Sequence, residues 1–155
     1  MKVLVFGIGN PGRQDDGLGP LLVERAEKEL PEHLPPIPDL QIDYDANYQL
    51  NVEDAEAITA YDLVCFVDAS KADIESCRIE RVTVDSPIAF STHSMSPGGV
   101  VGLAGELYDS HPLAYLLEVR GYSWEPNEPA TEKARKNLES ALVLLTETIR
   151  TAAGE

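Results

Sequence analysis

Two stretches of the chain are apolar without interruption, Val3-Leu4-Val5-Phe6 and Leu63-Val64-Cys65-Phe66-Val67. Runs this short and continuous mark strands buried on both faces, and they place a first strand near residues 2–7 and a third at 63–67. Between them the apolar spacing widens. Leu18, Leu22, Ala26 and Leu30 recur on one helical face, which predicts a helix over about 17–30. Leu40 and Ile42 alternate with polar neighbours and predict a second strand at 39–45. Asn51 stands as an N-cap with Asp54 at the capping-box position, opening a helix over 51–60 with Ala55 and Ile58 inward. Further on, Ile79, Val82 and Val84 alternate only in part, as on a sheet edge, and predict a strand at 77–84. Ser96 as cap and Pro97 in the first turn start a helix over 97–109, with Val100, Leu103, Ala104 and Leu107 packing. A fifth strand at 114–120 and a helix at 131–151, with Ala134, Leu138, Ala141, Leu142, Leu145 and Ile149 inward, complete the pattern. Pro31, Pro35, Pro36 and Pro38 predict a stiff surface loop over 31–38.

The order β-α-β-α-β followed by β-α-β-α indicates an open sheet with helices on both faces. The expected fold is a three-layer α/β/α domain of the phosphorylase/hydrolase type, its five-stranded twisted sheet mostly parallel. One strand breaks the rule: Ala69 to Ser76 is too short a connection to carry a crossover helix, so the strand at 77–84 runs antiparallel. Residues 85–96 must then cross back over the sheet. A segment of that length reaches at most about 40 Å, enough to bring His93 to the edge where the first and third strands end.

Length and charge narrow the function. At 155 residues the chain reads as a single domain, 1–155, able to build a core without staples. The formal charge of −15 argues against nucleic acid and anionic membranes, both of which call for basic patches. It favours a cation or a basic partner. The first residues enter a strand directly, with neither a charged and apolar leader nor a membrane-spanning run, so a cytoplasmic location is expected. Cys65 and Cys77 match no metal or redox spacing.

The chemistry gathers where strands end. Gly7, Gly9 and Gly12 satisfy G-x-G-x-x-G formally, a turn that elsewhere admits a pyrophosphate at a helix N-terminus. Here Asp15 and Asp16 follow at once and would repel a phosphate. Two readings stand for them: a helix cap that complements the dipole, or a cation site. Asp68 ends the third strand and His93 precedes the helix at 97. Taken singly, these are ordinary turn, cap and loop residues. Together, two carboxylates and an imidazole with open positions suit a divalent transition metal such as nickel or zinc.

These segments resemble the hydrogenase maturation endopeptidases, which remove a C-terminal extension from the large subunit of NiFe hydrogenases. The resemblance runs through VLVFGIGN, DDGLGPLLVE, YQLNVEDA, FVDAS, THSMSPGGVVGLAGELY and LLEVRGYSWEP, in that order. It implies metal contacts from Asp16, Asp68 and His93. A further aspartate near the end of the second strand falls on Asp43 or Asp45, and is carried over to Asp45. The resemblance also implies that the nickel is borne by the substrate, a hydrogenase large-subunit precursor, so that the free enzyme is empty or holds a surrogate divalent metal. Asp16, Asp68 and His93 would then be the catalytic set, with Asp45 or Asp15 as the general base, in a cytoplasmic monomer.

Other classes are weighed against this. A non-catalytic metal-binding assembly factor would share the same residues and lack cleavage. GIGNPG also opens the peptidyl-tRNA hydrolases, but Arg13-Gln14-Asp15-Asp16-Gly17 holds no histidine where that family needs one. A dinucleotide-binding module is opposed by the two aspartates beside the phosphate position. There is no HExxH and no G-x-S-x-G. Tyr122 and Trp124 either seal the sheet end against the last helix or form a substrate lip, and His33 and His111 read as solvent-facing loop residues.

Overall fold

The computed structural model describes residues 1–84 and 95–154. Five strands form one sheet: β1 (Lys2–Ile8), β2 (Gln41–Asn47), β3 (Leu63–Ser70), β4 (Cys77–Arg81) and β5 (Leu113–Arg120), in the order β2-β1-β3-β5-β4. β1 pairs in parallel with β2 and β3, and β3 in parallel with β5. β4 pairs antiparallel with β5, as the short connection after β3 demands.

Among the described residues four helices cover the sheet: α1 (Leu18–His33), α2 (Val52–Ala57), α3 (Pro97–Tyr108) and α4 (Glu132–Ala152). The strand period of two sorts the core into two layers. Val3, Val5, Leu63, Cys65 and Val67 face α1 and α4 with Leu22, Ala26, Leu138 and Leu145. Leu4, Phe6, Val64 and Phe66 face the other side with Ala55, Ile58, Val100 and Leu103, where the Phe6 and Phe66 rings meet edge to face at 6.3 Å. The runs Val3–Phe6 and Leu63–Val67 are thus continuously apolar because both of their faces are covered.

The caps predicted for α2 and α3 form, and α4 has one at Thr131. Ser96 Oγ accepts the Gly99 N–H at 3.0 Å, Thr131 Oγ1 accepts that of Ala134 at 3.2 Å, and the Asp54 carboxylate accepts that of Asn51 at 2.7 Å. α2 is shorter than its pattern, giving way to a 3₁₀ turn over Ile58–Ala60. The proline-rich segment requires a correction: α1 continues through Pro31 to His33. Proline disrupts a helix by its missing N–H and its clash with the preceding turn, but here it falls in the last turn. Leu30 is fully buried there, and its carbonyl still accepts the Leu34 N–H at 2.9 Å. His33 therefore ends a helix, though it is exposed as expected. Among the described residues no helix is long and apolar enough to cross a membrane.

Candidate functional site

The chain leaves β1 through a turn that reverses tightly. Gly9 sits at φ 141°, a conformation side chains rarely adopt, and a Cβ there would overlap the Asp16 carbonyl. This close approach folds the 3₁₀ turn Gln14–Gly17 back over the end of β1. The two adjacent aspartates on that turn are sent in opposite directions.

Asp15 goes inward and is fully buried. Its Oδ2 accepts the backbone N–H groups of Tyr122 at 2.7 Å and Ser123 at 3.1 Å, and the Thr131 hydroxyl at 2.9 Å. Oδ1 accepts the Thr131 N–H at 2.7 Å. The Asp15 N–H in turn donates to the Ser123 carbonyl at 3.1 Å. Asp15 therefore neither caps α1 nor has an oxygen left for a cation or a substrate proton. It ties the first turn of the chain to the segment between β5 and α4. Gly121 makes room for this knot, since a Cβ there would lie 2.8 Å from the Asp15 Cβ and 2.7 Å from the Trp124 ring. Tyr122 seals the same end: its hydroxyl accepts from Asn137 Nδ2 at 2.9 Å, and its ring lies under Lys133 and Arg120 at 4.4 and 5.0 Å.

Asp16 goes outward. It lines a cleft of about 380 Å³ together with Asp68, between walls supplied by Ile8 and Gly9, by Tyr48, Gln49 and Leu50 after β2, and by Met95, Ser96 and Pro97 at the start of α3. This cleft lies at the C-terminal ends of β1, β2 and β3. The connections from β1 pass through α1 to β2 on one side, while β3 lies on the other, so it is the switch point where open α/β sheets bind ligands. An antiparallel bridge, Met95 N–H to the Leu50 carbonyl at 3.1 Å, joins the two walls.

The two carboxylates are held alike. Asp16 Oδ2 accepts the Asn10 N–H at 3.0 Å and Asp68 Oδ1 accepts the Ala69 N–H at 2.8 Å, which leaves the second oxygen of each without a partner among the described residues. Burial pushes the Asp68 carboxyl up to about 7, partly offset by its hydrogen bond from Ala69. The like charges of Asp16 and Glu118 raise it further. Glu118 is the register partner of Asp68 on β5 and bonds Arg78 of β4 at 2.9 Å. A cation at the open oxygens would relieve this repulsion. That is the chemistry the arrangement could serve: two carboxylates lining one cleft, to which a metal would bring its other ligands.

His93 lies outside the described residues, as does most of the 85–96 connection; Met95, two residues later, is in the cleft wall. Among the described residues no group of three or more metal-ligating side chains forms. Asp45 does not line the cleft; it is exposed and accepts the N–H of Ala46 at 2.8 Å. Asp43 accepts the Tyr61 hydroxyl at 2.7 Å, which holds its carboxyl below the usual range. Sequence reasoning passed over Glu118 and Tyr48, and the signal for Glu118 was its position level with Asp68 in the parallel register.

Sheet order, layers and cleft define a three-layer α/β/α protein with acidic residues gathered at the topological switch point. No family model matches the chain, and no curated protein matches it in sequence. Its fold is that of the hydrogenase maturation proteases. The hydrogenase maturating endopeptidase HybD from Escherichia coli aligns at a TM-score of 0.68 with 24% identity, covering 98% of this chain and 94% of that one. The NiFe hydrogenase maturation protease HycI from Thermococcus kodakarensis gives 0.66 and 24%, covering 96% and 92%. A further endopeptidase from Escherichia coli gives 0.69 and 25%, covering 98% and 94%.

Proposed function

We propose that this protein is a processing endopeptidase that removes the C-terminal extension of a NiFe hydrogenase large-subunit precursor after nickel has been inserted. The observation that carries the reading is the pair of half-open carboxylates, Asp16 and Asp68, at the switch point of a fold shared with hydrogenase maturation proteases. The open oxygens coordinate nickel held in the substrate, and His93 is the third ligand. Nickel held in this way would position the peptide bond to be cut, and the chemistry it would supply is to polarise the carbonyl or to lower the pKa of a bound water. Gating goes with the same arrangement: a precursor without nickel brings no cation to the two carboxylates and gains no coordination. Asp15 is unavailable as a general base because both its oxygens are occupied by donors. Asp45 stands outside the cleft and is given no part in bond breaking in this reading.

The test is processing of nickel-loaded precursor, followed by its loss of mass. Wild type shortens it, whereas Asp68→Ala, Asp16→Ala and His93→Ala do not, and nickel-free precursor stays intact. Equal cleavage of nickel-free precursor would remove the metal from the mechanism, and equal cleavage by His93→Ala would remove that residue.

A further inference from the structure

Tyr48 is the side chain of the cleft that folding does not explain. It is 67% exposed, though it belongs to a wall whose other apolar members, Ile8, Leu50 and Met95, are all buried. Single exposed apolar side chains are ordinary on a protein surface, and what sets Tyr48 apart is that it lines the same cleft as Asp16 and Asp68. Gln49, next to it and also exposed, lines the same cleft.

The sheet fixes where this ring stands relative to the carboxylates. Tyr48 follows the last residue of β2, whose Asn47 pairs with Ile8 at the end of β1, and Asp68 lies on β3 on the far side of β1. Two inter-strand steps separate the ends of β2 and β3, about 10 Å. An extended peptide covers that span in about three residues. The cleft thus carries two carboxylates toward one side and an exposed aromatic ring on the other.

We propose that the exposed Tyr48 ring forms a specificity subsite for an apolar side chain of the substrate peptide, within about three residues of the group held at Asp16 and Asp68. The Gln49 amide beside it hydrogen-bonds the peptide backbone. This subsite rests on the endopeptidase reading. Its occupant is a residue of the same peptide, because the subsite and the carboxylates share one continuous cleft. The ring acts as an anchor in binding and takes no part in bond breaking, so its removal is read in KM.

The experiment measures both equilibrium binding and cleavage of nickel-loaded large-subunit precursor with wild type, Tyr48→Ala and Tyr48→Phe. Tyr48→Ala raises KM and weakens binding about five- to tenfold with kcat little changed, and Tyr48→Phe stays near wild type. Replacing the apolar precursor residues within three positions of the cut by alanine, one at a time, identifies one whose loss makes the two proteins equal. An unchanged melting temperature for Tyr48→Ala, as its exposure dictates, shows that the effect is not one of folding. Equal KM and equal affinity for wild type and Tyr48→Ala would overturn the subsite. Binding without cleavage by wild type would sink the endopeptidase reading, while the affinity ratio still decides the subsite. Neither binding nor cleavage by wild type would overturn both.

Discussion

Replacing Asp15 by asparagine changes one oxygen to an NH2 group and tests the knot at the sheet end. The better amide orientation keeps its oxygen where Oδ2 receives Tyr122, Ser123 and the Thr131 hydroxyl, and turns the NH2 toward the Thr131 N–H. Two donors then face each other across the 2.7 Å that Oδ1 and that nitrogen now span. A hydrogen bond to a charged group contributes about 1.5–3 kcal/mol, and a buried donor left unpaired costs about 1–3 kcal/mol. Allowing for relaxation, the substitution destabilises the protein by about 3–5 kcal/mol, a loss of about 6–20 °C in melting temperature at this chain length. Thermal unfolding at neutral pH followed by circular dichroism measures it. Limited proteolysis covers the case in which the segment 121–131 detaches locally and unfolds before the rest. Cleavage activity falls as well, because Asp16 follows directly on the displaced residue; Asp15 is a positioning residue. A variant that melts within about 2 °C of wild type and resists protease equally at 121–131 would refute the reasoning.

Two further outcomes follow from the site. Gly9→Ala places a methyl group onto the Asp16 carbonyl at a backbone angle alanine resists, so it lowers stability by about 2 kcal/mol or more and abolishes processing; chemical denaturation and the precursor assay report each. Asp68 holds its proton up to about 7 when folded but loses it near the ordinary carboxylate value when unfolded, so the folded state binds more protons in between and stability falls as pH rises from about 4 to about 7. Asp68→Asn removes that loss. In the presence of chelator it is more stable than wild type at pH ~8 by on the order of 1–3 kcal/mol, and the difference closes toward pH ~4; urea midpoints showing the same gap at both pH values would contradict it.

Where the chain's local pattern and its long-range contacts agree, the structure could be read from the residues. The continuous apolar runs at Val3–Phe6 and Leu63–Val67 are central strands because both layers of helix cover them. The short Ala69–Ser76 connection alone determined the direction of β4. The placement of Asp16 and Asp68 at one sheet edge was likewise legible, since strand ends in a parallel sheet share an edge. Pro31 was misread because its effect depends on how much helix follows it, and that is set by the burial of Leu30. Asp15 and Asp16 could not be told apart from their neighbours in sequence. Nothing near them distinguishes a carboxylate turned to four donors from one turned to a cleft, because every donor to Asp15 lies 107 to 116 residues further along. Asp45 shows the complementary case: its place near the end of β2 was predicted, but the cleft begins beyond it, at Tyr48.

The distance along the chain between Asp15 and its donors has a consequence for synthesis. The ribosome makes the turn that carries both aspartates long before Tyr122, Ser123 and Thr131, which follow Asp15 by 107 to 116 residues. Until then a carboxylate destined for the interior has only water for company, and its neighbour Asp16 has no fixed bearing. A nascent chain stalled before Thr131 can therefore pair β1, β2 and β3 and still lack a set cleft. The cleft would be set only once the segment that holds Asp15 has been made.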